Sequence, residues 1–249
     1  MSIDTVIGVT SYDRPDALGD CLTAVLQCAP RRSLIVVSDD GSTKPEVHEI
    51  LDHAEREMGM LVLRGEHANV ATSKNRLLDE FLNTEAQHLF LVEDDMAPTS
   101  PKAFRSYIKA SERWGMQHSM FAHAGERNFQ VGVDHAFTYH YECVGSWVYY
   151  SRDVIEHVGG FDTTFDNCWE HVVHSMLIAD TGLFMPDAGW RRWPDVRFSD
   201  EHVVELGAAS THVTGTEDDL MRSERIQAGL RHWEATYRFP DDVRPLLRG

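Results

Sequence analysis

Two acidic stretches stand at the ends of apolar runs. SLIVV leads into Ser38-Asp39-Asp40-Gly41, and HLFLV leads into Glu93-Asp94-Asp95. Adjacent carboxylates repel one another unless a cation lies among them. A hard divalent ion with oxygen ligands relieves that repulsion. Mg²⁺ or Mn²⁺ takes one or two carboxylates and fills its shell with water and substrate phosphates. For an isolated Glu-Asp-Asp, a solvated acidic turn is the plain alternative. A third group is Trp169-Glu170-His171, with His174 three residues on. A carboxylate or an imidazole there is a candidate general base. The spacing E-H-x-x-H is neither H-E-x-x-H nor H-x-x-E-H, which argues against a zinc hydrolase.

These residues need elements to position them. Residues 5–10 read as a strand, and Pro15 opens a helix whose Leu18, Cys21, Leu22, Val25 and Leu26 form one apolar face closed by Pro30. SLIVV is a second strand, followed by a helix with Val47, Ile50, Leu51 and Ala54 on one side. MLVLRG (60–65), a helix from about Ala71 to Leu82, and HLFLV (88–92) complete the first half. Apolar strands separated by amphipathic helices predict an α/β fold with a mostly parallel sheet covered on both faces. Ligands of such sheets bind beyond the carboxyl ends of the strands, where both acidic stretches fall.

The second half is less regular. Helices are expected near 101–114 and 152–158, with strands across 118–150. Another helix runs from Trp169 to about Thr181 and ends at Gly182. If it buries Val172, Val173, Met176 and Leu177, then Glu170, His171 and His174 share the opposite face, toward a cleft. The segment 184–213, including GWRRWPD, is expected to return to the sheet, and its Trp and Arg residues are candidates for an acceptor site. Thr216 and Asp219 resemble a capping box for a C-terminal helix.

Composition narrows the function. The chain has 249 residues, 42% hydrophobic and 25% charged, as in an ordinary globular protein. A net charge of −17 disfavours a protein built to grip phosphate backbones. No apolar run approaches the ~18 residues of a membrane helix. The four cysteines form no CxxC pair, and Cys21 and Cys28, about 10 Å apart along one helix, are poorly placed for a disulfide. Reduced thiols and a soluble, cytoplasmic protein are expected.

The order of parts resembles the GT-A glycosyltransferases, in particular glycosyltransferase family 2. The matching pieces are VIGVTSYDRP, IVVSDDGST, NVATSKNRLLDE, LFLVEDDMAP, GSWVYYSRDVIEHVGGFD and CWEH, in that order. The resemblance implies a metal-dependent, inverting transfer of a sugar from a nucleoside-diphosphate sugar, a UDP-sugar first, to an acceptor hydroxyl. Thr10 and Tyr12 would contact and stack on the base, and Arg14 would approach the base or phosphates. Asp39 would accept a hydrogen bond from the base ring. Lys74 falls where the family has an Arg for ribose or diphosphate, and Arg76 is its possible substitute. Asp95 would bind Mn²⁺ or Mg²⁺, Glu93 replaces the first acid of the family's DxD, and Asp94 would face the ribose or a metal-bound water. His212, with His202 as competitor, would complete the metal shell. Where the family has Glu-Asp, this chain has Glu170-His171, and the base is Glu170, His171 or neither. The expected organisation is a transferase domain over 1–215, with its nucleotide half at 1–95 and its acceptor half at 96–215, and a helical extension over 216–249. A glycan, a protein, a metabolite or a modified nucleobase are the acceptor classes. A nucleotidyltransferase is less favoured, because TSYDRPDALGD is no Gly-rich basic loop. A non-catalytic nucleotide-sugar binding protein is the other rival.

Overall fold

The computed structural model describes residues 2–121, 130–133, 136–140, 145–183, 193–196, 199–206 and 219–237. Four strands run parallel: β1 (Thr5–Ser11), β2 (Ser33–Asp39), β3 (Leu61–Arg64) and β4 (His88–Glu93). β5 (Met96–Pro98) turns away after the acidic corner, and β6 (His118–Met120) lies at the far edge of the sheet. β7 (Gln130–Val133) and β8 (Phe137–His140) form a separate hairpin. β9 (Trp147–Ser151) joins β4 and β6, antiparallel to both, and gives the order β3-β2-β1-β4-β9-β6.

Alternation along the strands builds a core on each face of this sheet. Ile7, Val9, Ile35, Val37, Phe90 and Val92 point to one side and pack with α1 (Pro15–Cys28), α2 (Pro45–Arg56) and α4 (Lys102–Trp114). Val6, Val36, Leu89 and Leu91 point to the other and pack with α3 (Val70–Leu82), α5 (Arg152–Val158) and α6 (Glu170–Asp180). Pro at the first turn starts α1 and α2, where a missing N–H costs nothing. α3 is capped by Asn69, whose side chain accepts from Thr72 N. The expected α/β sheet with both faces covered is what the chain forms. Among the described residues no helix is long and apolar enough to cross a membrane.

Two expectations are corrected. The described parts of 184–213 do not join the central sheet. β10 (Trp193–Val196) pairs antiparallel with β8, and β11 (Val203–Glu205) pairs with β5. Pro194 has no N–H for a second neighbour, so β10 is confined to an edge. Arg191, Arg192 and Thr216 lie outside the described residues. The second correction concerns α6. It buries Glu170, Val173, His174, Ser175 and Ile178, while Val172, Met176 and Leu177 are only partly buried. Its polar residues face inward because partners wait there. The Gly159 carbonyl accepts from His174 Nε2 at 2.9 Å, and the Phe161 ring stacks on the same imidazole at 4.2 Å.

A second buried histidine, His118, stacks on Tyr150 at 4.6 Å, and its Nδ1 donates to Tyr149 O at 3.0 Å. Burial pushes the His174 imidazole down to about 4 and that of His118 to about 3. The unfolded chain therefore binds more protons than the native one between pH 4 and 6.5. Stability is fully present above pH 6.5 and is lost as pH falls toward 4. Each histidine contributes a slope of up to about 1.4 kcal/mol per pH unit in that window. Other groups titrate there too, so the measure is a difference. Urea unfolding of wild type and His174→Gln at pH 6.5 and 4.5 should show a smaller acid loss in the variant; equal losses would remove His174 as a source.

Candidate functional site at the carboxyl edge of the parallel strands

The chain runs β1-β2-β3 to one side of β1 and then places β4 on the other. The switch point lies between β1 and β4, where open α/β sheets bind ligands. The register sets Thr10 beside Ser38 and Glu93, and Ser11 beside Asp39. Thr10, Asp39, Asp94 and Asp95 thus meet at one edge, all buried.

The loops after β1 and β2 are fastened together. Asp13, at φ 51°, accepts from Thr43 N at 2.7 Å and Lys44 N at 3.0 Å, and its own N donates to Ser42 Oγ at 2.9 Å. Asp39 accepts from Ser42 N at 3.2 Å. Asp40 faces the other way and braces the next loop: it accepts from Ala68 N and Ser73 Oγ and pairs with His67 Nδ1 at 3.0 Å. Burial raises the Asp40 pKa. Gly41, at φ 77°, is required here, since a Cβ would lie 2.4 Å from His67 N. Tyr12 stacks on His67 at 4.2 Å and 16°. Arg76 donates to the Asp39 and Glu66 carbonyls and braces the same corner.

At the second acidic end, Arg14 lies across the turn. Its Nη2 is 2.7 Å from Asp94 Oδ1, and its Nη1 donates to Asp95 Oδ2 at 2.7 Å. Asp94 is fully buried, with the Ser11 hydroxyl alongside, so it faces inward beneath Arg14. Burial raises its pKa to about 7; Arg14 opposes the shift, and Asp95 and Glu93 add to it. Asp95 is raised as well, by burial and then Glu93, against Arg14. Asp95 Oδ1 is buried without a hydrogen-bond partner among the described residues, whereas Asp94 Oδ1 has the Arg14 guanidinium beside it.

Glu93 turns to the opposite side. Lys74, 1% exposed, enters from α3 and donates to Glu93 Oε1 at 3.1 Å, Glu170 Oε1 at 3.0 Å and Gly145 O at 3.3 Å. Burial opposes its charge, but the two carboxylates outweigh burial and hold the ammonium above its usual range. Burial also works against the Glu170 charge, and Lys74 and then His171 more than offset it, keeping this carboxyl well below its ordinary range. His171 Nδ1 lies 3.2 Å from Glu170 Oε1, and the imidazole is one of the more accessible groups here. Gly145 admits it: a Cβ there would fall 2.5 Å from the His171 ring.

The start of α6 is held from behind by α7 (Asp219–Thr236). Trp169, at φ 66°, donates from Nε1 to Ile226 O at 3.1 Å, and Trp233 packs against Phe165 and Val173. Asp162 accepts from Tyr237 Oη and pairs with His232 Nε2, each at 2.8 Å.

Of the histidines expected near the metal, His212 lies outside the described residues. His202 is at the Thr99 end of the β5–β11 ribbon, whereas Glu205 is opposite Met96, next to Asp95. At about 3.3 Å per residue that separates His202 from the Asp95 end by ~10 Å. Sequence reasoning missed Glu205 and His67; each reaches the site only through tertiary pairing and carried no local signal. It also missed that Lys74 joins the metal motif to the base candidates. A lone Lys within an apolar helix face was the available clue.

Residues 4–121 match the family described as "Glycosyltransferase like family 2". The fold is that of the GT-A glycosyltransferases. A mannosyltransferase from Pyrobaculum calidifontis, PcManGT, in complex with GDP-Man and Mn²⁺, superposes with a TM-score of 0.63 at 15% identity, covering 100% of this chain and 69% of that one. TarS 1–349 of S. aureus in complex with UDP-GlcNAc gives 0.63 at 10% identity over 95% of this chain and 68% of that one. GalNAc-T7 with UDP, GalNAc and Mn²⁺ gives 0.61 at 11% identity over 83% and 44%. No curated protein sequence matches the chain.

The buried ammonium generates a prediction. Lys74→Met leaves Glu170 buried without its ammonium partner, with only the His171 imidazole beside it, and should cost roughly 3–5 kcal/mol of stability. Lys74→Met with Glu170→Gln should recover much of that loss. Denaturant unfolding of the two single variants and the double variant measures the coupling; additive losses would mean that the contact carries no such energy.

Proposed function

We propose that this chain transfers a sugar from a nucleoside-diphosphate sugar, a UDP-sugar first, to an acceptor hydroxyl, with inversion at the anomeric carbon and with a divalent cation at Asp95. The observation that carries the proposal is one sheet edge holding three things at once. They are a buried carboxylate at the end of β2, an acidic turn with an orphaned oxygen on Asp95 beyond β4, and a carboxylate–imidazole pair at the start of α6. The GDP-Man and Mn²⁺ complex of PcManGT supports it, as do the complex of GalNAc-T7 with UDP, GalNAc and Mn²⁺ and the UDP-GlcNAc complex of TarS.

The residues fit a divalent ion. Asp95 Oδ1 is a hard, buried oxygen without a partner, and one or two carboxylates are what Mg²⁺ or Mn²⁺ asks of a protein when phosphate is its other ligand. Such an ion would stabilise charge on the departing diphosphate. Thr10 and Tyr12 line the base side, and Asp39 accepts from the base-ring N–H. The acceptor hydroxyl gives its proton to His171 Nε2. Its oxygen then bonds to the anomeric carbon as the bond to the diphosphate breaks. Glu170 positions the ring through Nδ1 and is itself a weak base, since Lys74 holds it ionised.

Two results test this. UDP should raise the melting temperature strongly only with Mn²⁺ or Mg²⁺ present, more than GDP or dTDP, and Asp95→Asn should abolish the metal-dependent part. Asp39→Ala should weaken nucleotide binding by about 1–3 kcal/mol; unchanged binding of all three nucleotides would remove Asp39 from base recognition. His171→Asn should lose about 10²–10⁴-fold in transfer with donor affinity kept. Near-wild-type transfer by His171→Asn, with the loss in Glu170→Gln instead, would transfer the role to Glu170. Inversion is read from the anomeric configuration of the product.

A further inference from the structure

We infer that Arg14 is a tethered counter-ion of the acidic turn, one that competes with a divalent cation for Asp94 and Asp95 until it turns to the donor. This rests on the donor reading above. Arg14 makes contacts of 2.7 Å to each of the two aspartates. Its guanidinium bridges Asp94 and Asp95 as a bound ion would. Arg14 leaves Asp95 Oδ1 free, but a divalent ion placed there faces the guanidinium across the same carboxylate, and the repulsion between the two cations weakens its binding.

The surroundings say where the side chain can go. Asp94 is enclosed, whereas the Arg14 side chain is 33% exposed and belongs to the loop after β1, at the open edge. A planar fork with five donors suits a diphosphate as well as it suits two carboxylates. A donor diphosphate at this edge therefore offers Arg14 an equivalent partner at the moment the metal needs its place. Metal and donor binding are then mutually reinforcing, and by linkage each raises the affinity of the other by the same factor. In the free protein Arg14 offsets the repulsion in the turn, so the metal alone gains little.

The test uses the full chain and Mn²⁺, following the resonance signal of the free aqueous ion. Without nucleotide, Arg14→Gln should bind Mn²⁺ at least tenfold more tightly than wild type. UDP should tighten Mn²⁺ binding in wild type by tenfold or more, and in Arg14→Gln by a clearly smaller factor. Melting gives a second readout. Metal-free Arg14→Gln should melt below wild type and be restored by Mn²⁺ alone, whereas wild type should barely respond to the same Mn²⁺. Equal or weaker Mn²⁺ binding by a cooperatively melting Arg14→Gln overturns the inference. If that variant does not fold, Arg14→Lys replaces it; its single point charge should give Mn²⁺ affinity above wild type, and wild-type affinity overturns the inference. Failure of the donor reading looks different: Mn²⁺ binding would tighten in the variant while UDP bound neither protein. UDP and Mn²⁺ binding together in wild type, with no change in Mn²⁺ affinity on substitution, would sink the counter-ion role and leave the donor reading intact. Silence toward Mn²⁺ in both proteins, with UDP present, overturns both.

Discussion

One ammonium group, Lys74 Nζ, lies between Glu93 and Glu170 in a place that water hardly reaches. A lone charge there would be prohibitive, and three together are tolerable only if their geometry is kept. That requirement reaches far into the fold. α3 must enter at the right height, which Asn69 secures by capping it and by donating to Thr163 O. Asn75 holds both backbone groups of Phe161, and Val70 N donates to Asn167 Oδ1. These contacts join the parallel half of the sheet to the segment that carries α6. The acidic end of β4 and the start of α6 are thus parts of one electrostatic unit.

The two acidic ends solve the same problem by different means. At the end of β2, backbone N–H groups satisfy Asp39 and Asp40, with His67 as an extra partner. At the end of β4 too little backbone N–H is available, and side-chain cations from two directions divide the turn between them: Arg14 takes Asp94 and Asp95, Lys74 takes Glu93. The chain carries a large negative excess, and Arg14 and Lys74 are cations that it sets directly against buried carboxylates.

Much of this was legible in the residues. Strands and helices of the first half followed from period and caps, because each packs a regular apolar face and little competes with propensity there. The acidic ends were visible for the same reason: strand termini are easily placed. The inward face of α6 was not legible, since Glu170 and His174 look like surface residues until Lys74 and the Gly159 carbonyl are known to lie opposite. Nor was the fate of 193–205, whose short strands pair with β8 and β5 through contacts remote in sequence. Glu205 beside Asp95 and His67 on Tyr12 belong to the same class.

The way α7 covers the segment before α6 bears on when the molecule becomes whole. Trp169 and Asn167 hold left-handed backbone that ordinary side chains resist, and Ile226 O and Trp233 lie over that stretch. A polypeptide is made from its N-terminus, and α7 is the last of the described elements to leave the ribosome. The four parallel strands can therefore pair while synthesis continues, but the turn that aims Glu170 and His171 lacks its cover until residues 219–237 have emerged. Pairing of the parallel strands does not depend on α7, whereas the cover over Trp169 does.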